Sequence, residues 1–263
     1  MLNVGALVAD STPDLQPIKR TQALREMQPF AMNPQDTTTK PPDSESSHLF
    51  KNLQKQLNET LSGYELVLTS PPLCPSLRLA LIEDTLPTEA LPEHLRQKVM
   101  AEPAYWAFCW ASGQVLAAHI LNNPQIVAGK TVVDFGAGSG VVGIAAKRAG
   151  AAVVTCCDND PNAQLACQTN AALNGVEIAL IDDFKQAPSP LDLVIAADVL
   201  YDRDNYLFLD ALPNAASAVL IADSRIKNFE HPRYKLLAQQ TATTWPDLEE
   251  YPEYNQVKVY ASR

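Results

Sequence analysis

From about residue 130 onward, the hydrophobic positions form short apolar runs separated by polar turns and amphipathic stretches. Continuous apolar runs are typical of strands buried on both faces of a parallel sheet. Strands that alternate with helical stretches indicate βαβ units and an α/β fold. The pattern predicts strands at residues 131–134, 151–157, 176–181, 192–197 and 218–222.

Apolar residues between these strands recur at helical spacing, and Pro161 and Gly175 fit the first turn and the end of one helix. Asp160 is expected to cap that helix. A last strand at residues 256–261 alternates Val257 and Val259 and predicts an antiparallel hairpin that closes the sheet. The predicted helices cover residues 113–121, 144–149, 161–174, 203–212 and 231–240.

The first 60 residues are rich in Gln, Thr, Ser, Pro and Asp, and residues 33–47 are poor candidates for packing. Residues 46–61 carry leucines at four-residue spacing and predict a helix, either in a substrate-docking arm or in a loose extension. We also expect short strands at 64–68 and 79–82 and a helix at 88–100. The predicted units are a partly flexible extension (1–62), an N-terminal cap with an aromatic segment (63–125) and a cofactor-binding catalytic domain (126–263).

Composition narrows the possible partners and compartments. The hydrophobic fraction is 46%, and the formal charge of −10 with a pI near 4.8 argues against nucleic acid or an anionic membrane as a partner. Five cysteines without C-x-x-C spacing indicate buried free thiols and no metal site. No secretory signal or long apolar run is visible. We therefore expect a cytoplasmic protein, with a monomer favoured.

The motif that carries chemistry follows the strand at 131–134. Asp134 ends the strand, and Gly136, Gly138 and Gly140 follow at alternate positions before a helix. Glycines allow a sharp turn and a close approach of the backbone to a ligand. Asp134 can accept hydrogen bonds from a cationic or hydroxyl-bearing ligand. The alternative is a structural turn without a ligand.

Two classes of cofactor fit this turn. Gly138-x-Gly140-x-x-Gly143 satisfies the dinucleotide fingerprint, and Asp158 follows at a suitable distance. An acid directly before the glycines suits S-adenosylmethionine better, since that cofactor has no pyrophosphate and carries an ammonium. The order Asp134-x-Gly136-x-Gly138-x-Gly140 resembles motif I of the class I S-adenosylmethionine-dependent methyltransferases.

Further acids stand at the ends of the following strands. Asp158 is placed to accept from both ribose hydroxyls, and either Asp182 or Asp183 can accept from the adenine amino group. Asp198 ends the fourth strand at the switch point, where ligands bind in open α/β sheets, and is therefore also a candidate for cofactor binding. Each of these carboxylates has a plainer alternative as a turn or helix-cap residue.

Residues 105–110 are dense in aromatic side chains just before the predicted cofactor strand. Such stretches usually pack in a core. Trp110 is the candidate for covering a cofactor, because Ala111, Ser112 and Gly113 beside it are small enough to lie against a ligand.

From about Tyr64 to its end, the chain resembles the seven-stranded protein methyltransferases of the so-called family 16 group. It is most similar to the lysine methyltransferases that act on the electron transfer flavoprotein β subunit. The resemblance rests on residues 103–114, 129–140 and 158–161, on Asn170 with Asn174, and on Asp198-Val199-Leu200-Tyr201. Residues 223–225 match a motif of the group imperfectly, and the resemblance does not extend to the first 60 residues.

The resemblance implies a Rossmann-like seven-stranded methyltransferase sheet, mostly parallel with an antiparallel C-terminal strand and flanked by helices. It implies S-adenosyl-L-methionine as cofactor and a protein lysine ε-amine as acceptor. Asp198 is expected to orient the ammonium, and Tyr201 to wall the lysine channel through cation–π attraction. The alternatives are a small-molecule N-methyltransferase, and a dinucleotide-dependent reductase or non-catalytic cofactor-binding module.

Overall fold

The computed structural model describes residues 44–84, 99, 101–226 and 229–263. The predicted extension before residue 44 and almost all of the predicted helix at 88–100 lie outside these residues. Within the described ranges the helices are α1 (Ser44–Thr60), α2 (Ala111–Asn122), α3 (Val141–Arg148), α4 (Pro161–Leu173) and α5 (Phe208–Ala215). The strands are β1 (Leu66–Thr69), β2 (Leu79–Ile82), β3 (Thr131–Phe135), β4 (Val153–Cys157), β5 (Ala179–Ile181), β6 (Leu193–Ala197), β7 (Ala218–Asp223), β8 (Tyr234–Thr241) and β9 (Gln256–Ser262).

Seven strands form one sheet in the order β5-β4-β3-β6-β7-β9-β8. The pairs among β3 to β7 are parallel, and β9 pairs antiparallel with both β7 and β8. The predicted α/β fold is confirmed, as is the antiparallel hairpin at its end. The chain leaves β5 at one edge and re-enters beside β3 as β6, which creates a switch point between the ends of β3 and β6.

The parallel strands are apolar on both faces, because each face packs against its own layer of side chains. Val132 belongs to the cluster that includes Leu116 of α2 and Ile144 of α3. Its neighbour Val133 belongs to the opposite cluster, with Leu212 of α5. The alternation follows from the two-residue period of a strand.

The edge strand β8 (Tyr234–Thr241) occupies most of residues 231–240, and the predicted helix there is wrong. Lys235, Leu236, Leu237 and Ala238 favour a helix by intrinsic propensity. Pairing with β9 nevertheless satisfies the backbone of β8 on one side, with a register shift between Leu236 and Ala238. The long-range partner thus overrides the local preference.

The N-terminal elements pack against α4. Leu53 and Leu57 of α1 share a buried cluster with Ala163 and Ala166 of α4. The antiparallel pair β1–β2 lies in a separate two-stranded sheet. The predicted helix and both predicted short strands of this region are confirmed within a few residues.

Asn170 of α4 and Asn174, which directly follows that helix, bind the backbone of β2 and the turn before it. Asn170 Oδ1 accepts from Ala80 N at 2.7 Å, and its Nδ2 donates to Ser139 O, in the Gly-rich turn, at 2.8 Å. Asn174 accepts from Arg78 N at 3.0 Å and donates to Arg78 O at 2.6 Å. The side chain of Asn170 therefore connects the small hairpin to the turn that follows β3.

None of the helices in the described ranges is both long and apolar enough to span a membrane.

Candidate functional site

A cavity of about 510 Å³ opens at the carboxyl ends of the parallel strands. Its size lies within the range of ordinary ligand pockets. One side is formed by the turns after β3, β4 and β5, and the other by residues after β6 and β7 and by the segment before β9. Of the predicted site residues, Trp110, Gly136, Gly138, Asp158, Asp182, Asp183, Asp198 and Tyr201 all line it.

The turn after β3 needs its glycines for two different reasons. Gly136 has φ 68°, and a Cβ there would lie 2.6 Å from Val199 Cγ1, so a side chain would collide with the turn after β6. Gly138 has φ 52°, but a Cβ there would meet no heavy atom within 4 Å. Because Gly138 lines the cavity, a side chain at this position would take up space in the cavity.

Asp134 is not among the residues that line the cavity, and its contact with a ligand stays a prediction. Its side chain is 1% exposed, and Oδ2 accepts from Gly143 N at 2.7 Å. Burial raises the pKa of this carboxyl to about 7, against the opposing effect of the Gly143 hydrogen bond. The acid therefore holds the first turn of α3 against the end of β3.

Gly140 is also not among the lining residues, and its assignment to cofactor binding stays a prediction. It has φ 77°, and a Cβ there would lie 3.1 Å from both the Cα and the Sγ of Cys167. The residue is small because α4 packs closely against the turn. Gly140 thus allows the turn to lie close to α4, which helps to position Gly138 at the cavity.

Asp158 lies between the turns after β3 and β4. Its Oδ2 accepts from Gly138 N at 2.9 Å, and its Oδ1 accepts from Asp160 N at 3.0 Å. Burial raises its pKa, and the two backbone hydrogen bonds oppose that rise. These bonds fix the carboxylate at the cavity wall and leave it further acceptor capacity. Asp160 caps α4 through Asn162 N at 2.8 Å, as predicted.

Both candidate acids after β5 line the cavity, and each has a local partner. Asp183 Oδ1 accepts from Lys185 N at 2.9 Å, and this bond, followed by the Lys185 side chain, holds its pKa below the usual range. Asp182 Oδ1 accepts from Gln186 Nε2. The choice between the two acids as the adenine partner stays a prediction.

Asp198 is held by residues from two distant parts of the chain. Its Oδ1 accepts from Ser112 Oγ at 2.6 Å and from Ser224 Oγ at 3.1 Å, and its Oδ2 accepts from Ser112 N at 3.0 Å. The carboxylate therefore caps the first turn of α2, not the helix that follows Asp198 in the chain. Burial raises its pKa, while Ser112, Arg225 and Ser224 oppose the rise.

The backbone of Asp198 has φ 52°, a left-handed conformation that is uncommon for residues with a side chain. Such a conformation costs free energy and persists where the surroundings fix it. Here the two serines fix it by binding both carboxylate oxygens. The turn after β6 thereby keeps Asp198 in the cavity wall.

Three aromatic rings form one side of the cavity mouth. Tyr105 contacts Tyr201 at 5.6 Å between ring centroids and Trp110 at 5.8 Å, both in edge arrangements. Trp110 Nε1 donates to Tyr105 O at 2.9 Å, which fixes the indole. Tyr201 remains 46% exposed. The rings are thus held in place while part of their surface stays accessible.

A further group at the mouth, centred on Arg225, is not predicted by the sequence reasoning. The guanidinium lies 5.7 Å from the Trp110 ring centroid and 4.6 Å from that of Tyr254. It also forms a salt bridge with Glu250, which accepts from Thr244 Oγ1 at 2.6 Å. Two signals in the sequence point to this region: residues 224–225 directly follow a parallel strand, and residues 223–225 imperfectly match a motif of the family 16 group.

The cavity lining is strongly acidic. Arg225 is the one lysine or arginine among the described residues that line it, and Glu250 neutralises it locally. An anionic ligand would meet repulsion in this setting, whereas a cation would be attracted. The acidic residues of the lining are Asp158, Asp160, Asp182, Asp183, Asp198, Asp202 and Glu250.

Parts of this chain are similar in sequence to two groups of protein methyltransferases. The model of the ribosomal protein L11 methyltransferase (PrmA) family matches residues 116–207. An electron transfer flavoprotein beta subunit lysine methyltransferase of Rattus norvegicus is 39% identical over 103 residues, which cover 38% of this chain and 40% of that protein. The Xenopus laevis protein of the same name is 36% identical over 145 residues, covering 52% and 55% respectively.

These matches span about 40% to 55% of the length of the curated relatives. Among solved structures, a ribosomal protein L11 methylase from Lactobacillus delbrueckii subsp. bulgaricus matches with a TM-score of 0.44 and 22% sequence identity, covering 58% of this chain and 78% of that one.

Proposed function

We propose that this chain is an S-adenosylmethionine-dependent methyltransferase whose acceptor is the ε-amine of a lysine in a protein. The observation that carries the proposal is an acid-lined cavity at the switch point, with the Gly-rich turn on one side and Asp198 and Tyr201 on the other. The similarity to lysine methyltransferases supports the same acceptor. The electron transfer flavoprotein β subunit is one candidate substrate.

The residues on the β3–β5 side suit this cofactor. Gly138 leaves open space in the cavity where a side chain would stand, and Asp158 stands beside it with acceptor capacity for ribose hydroxyls. Asp182 and Asp183 follow β5 and also line the cavity, and one of them would accept from the adenine amino group. When bound, S-adenosylmethionine supplies a methyl group already activated by a positively charged sulfur, which an acidic cavity would attract.

The residues on the β6–β7 side suit a lysine. Asp198 offers a fixed carboxylate inside the cavity, and the partly exposed ring of Tyr201 stands at its mouth. A ring near an ammonium contributes cation–π attraction. In this proposal Asp198 draws the ammonium inward and orients it, while Tyr201 walls the channel.

Methyl transfer requires a neutral amine, so the ammonium has to lose a proton before reaction. Burial raises the pKa of Asp198, which makes it a better proton acceptor than an exposed carboxylate. The proton can therefore pass to Asp198 or to water. Positioning of the two reactants and exclusion of water are then the main contributions of the protein.

A dinucleotide cofactor is the weaker alternative. A pyrophosphate needs free N–H groups at the start of the helix that follows the glycines. Here Gly143 N, in the first turn of α3, already donates to Asp134. The acidic lining adds further repulsion, because the pyrophosphate carries negative charge.

A small-molecule acceptor would be favoured if the N-terminal region closed the cavity. Among the described residues, none between 44 and 84 lines it, although that segment packs against α4 in a cluster that also contains the lining residues Trp106 and Ala163. Within the described ranges, the N-terminal elements thus leave the cavity mouth accessible. This accessibility favours a macromolecular acceptor.

We also propose that the protein works in the cytoplasm as a monomer and does not bind nucleic acid. All five cysteines are free and buried, which fits a reducing compartment. The net charge of −10 and the acidic cavity would repel a phosphate backbone. Gel filtration of the purified chain tests the oligomeric state.

The first test is to incubate the purified chain with methyl-labelled S-adenosylmethionine and an extract of its own cells, followed by a denaturing gel. A discrete labelled band that disappears with Asp198→Asn is expected, and mass spectrometry would then locate the methylated residue. Calorimetric titration with S-adenosylmethionine provides a separate measure of cofactor binding.

Two other outcomes would change the proposal in different ways. Cofactor binding without any labelled protein would move the acceptor to a small amine. An absence of cofactor binding would overturn the proposal as a whole.

A further inference from the structure

The aromatic contacts at the cavity mouth continue beyond it as a connected track. From Tyr201 the contacts lead through Tyr105 and Trp110 to Arg225, at centroid separations of 5.6 and 5.8 Å and a guanidinium distance of 5.7 Å. From Arg225 they lead to Tyr254 at 4.6 Å, whose ring lies 6.4 Å from that of Tyr251. The mouth track, as we name it, is thus formed by Tyr201, Tyr105, Trp110, Arg225, Tyr254 and Tyr251.

Three of the four tyrosines left exposed in the described residues belong to this track. Tyr105, Tyr201 and Tyr251 are 39%, 46% and 54% exposed. Tyr206 and Leu207, which follow the lining residue Asn205, are 42% and 62% exposed. Exposed aromatic clusters of this kind mark interaction surfaces, because burial of such rings on binding is favourable.

Two acidic segments border the mouth track. Residues 202–204 include Asp202 and Asp204, with Arg203 between them, and residues 247–250 include Asp247, Glu249 and Glu250. All of these acids except Glu250 are exposed. The border is therefore negative on both segments, which favours a positively charged partner.

We propose that the mouth track is the docking surface for an extended segment of the protein acceptor, in which apolar and basic residues flank the target lysine. The target side chain enters beside Tyr201, and a second basic side chain lies over Tyr251 and Tyr254 at the other end. The inference rests on the proposed lysine methyltransferase function and deepens it by naming the acceptor's flanking chemistry. Edge and face contacts of the rings supply affinity, and the acidic border supplies orientation.

The test uses fluorescein-labelled twelve-residue peptides with one central lysine, flanked either by Leu, Phe and Arg or by Leu, Phe and Glu. Binding is measured by fluorescence anisotropy in the presence of S-adenosylhomocysteine. We expect the Arg-flanked peptide to bind at least about tenfold more tightly than the Glu-flanked one, with a difference that shrinks at high salt.

Tyr251→Ala is the informative variant, since Tyr251 belongs to the mouth track but does not line the cavity. It should weaken binding of the Arg-flanked peptide about three- to tenfold, by loss of the ring's cation–π and apolar contacts. Val153→Ser is the matched control, since Val153 is 45% exposed at the start of β4, at the opposite end of the sheet. Its binding should equal that of the unchanged chain.

Equal binding of both peptides, or equal binding by Tyr251→Ala and Val153→Ser, would overturn the docking surface. Methyl transfer to a cellular protein would still support the proposed function in that case. Conversely, selective peptide binding with no methyl transfer to any protein or peptide would remove the enzymatic proposal and leave a peptide-binding surface.

Discussion

The two sides of the cavity are built from contacts of very different range. On the β3–β5 side, Asp158 binds Gly138 N and Asp160 N, which are 20 and 2 residues away in the chain. On the β6–β7 side, Asp198 binds Ser112 and Ser224, which are 86 and 26 residues away. The first side forms within one continuous βαβ unit, whereas the second needs the whole sheet to be assembled. In the proposed function, the β3–β5 side binds the cofactor and the β6–β7 side binds the acceptor, and we call them the cofactor half and the acceptor half. The two halves should respond differently to substitution.

The largest effect is expected from Asp134, in the cofactor half, and it concerns stability. Its pKa in the folded chain is about 7, whereas an unfolded aspartate titrates near about 3.9. Between these values the folded state retains a proton that the unfolded state has lost. The stability from this group is complete below about pH 4 and is lost as the pH rises to about 7, by on the order of 4 kcal/mol.

Asp134→Asn should remove this pH dependence, since an amide does not ionise and can still accept from Gly143 N. Urea unfolding at about pH 5 and about pH 8 checks the prediction. Asp192→Asn is the control, because Asp192 also accepts from a backbone N–H, that of Thr131 at 2.8 Å, at the start of β3. Parallel pH profiles for the unchanged chain and Asp134→Asn would contradict it.

The next largest effect is expected at Asp198, in the acceptor half. Asp198→Asn should lower kcat/KM by about 10²- to 10³-fold, because the amide cannot hold or deprotonate the ammonium. Asparagine tolerates the left-handed backbone of this position, so the melting temperature should change little. The dissociation constant of S-adenosylmethionine, measured by calorimetry, should stay within about threefold, because the substitution leaves the residues on the β3–β5 side unchanged.

Retained activity of Asp198→Asn would limit Asp198 to capping α2. A large loss of cofactor affinity would instead show that the two halves are not independent.

A smaller effect is expected from Gly138→Ala in the cofactor half. The new methyl group would lie in the cavity, so the affinity for S-adenosylmethionine should fall about tenfold or more, with a strain cost of about 1 kcal/mol in stability. Gly63→Ala is the matched control, because Gly63 has φ 95° and a Cβ there would also meet nothing within 4 Å. If both variants bound the cofactor like the unchanged chain, the turn would not form its binding surface.

The smallest effect is expected from Ser224→Ala in the acceptor half. Loss of the 3.1 Å bond to Asp198 should lower kcat/KM about three- to tenfold, and should shift the acidic limb of its pH profile upward. Ser262→Ala tests a serine near the other end of β7, whose Oγ accepts from Val219 N at 2.9 Å. That control should lower stability without changing the pH profile of kcat/KM. An unchanged profile for Ser224→Ala would remove Ser224 from the support of Asp198.

The sequence predicts the local half of the site better than the assembled half. Asp158 and Gly138 lie in one strand–turn–helix pattern whose spacing determines their meeting. Arg225 contacts Trp110, Tyr254 and Glu250 only after three distant segments have packed together. The spacing of these residues in the sequence does not predict the contacts. Asp134 is a different case: its position near the end of β3 follows from the sequence pattern, but the pattern does not show that its carboxylate accepts from Gly143 N.

The fold follows the same division. The parallel strands can be predicted from the sequence, because strands buried on both faces consist of continuous apolar runs. The sequence wrongly predicts a helix at β8, because the apolar residues Leu236 and Leu237 are exposed in this edge strand and do not form a continuous buried run. Its identity depends on β9, its neighbour in the sheet.

The amide of Asn170 has a consequence for how the molecule folds and can be dissected. One side-chain group completes the hydrogen bonding of a peptide N–H in the N-terminal hairpin and of a carbonyl in the Gly-rich turn. A fragment that begins after the hairpin would leave this fully buried amide oxygen without its partner. Residues 44–84 and the seven-stranded sheet should therefore unfold in one cooperative transition.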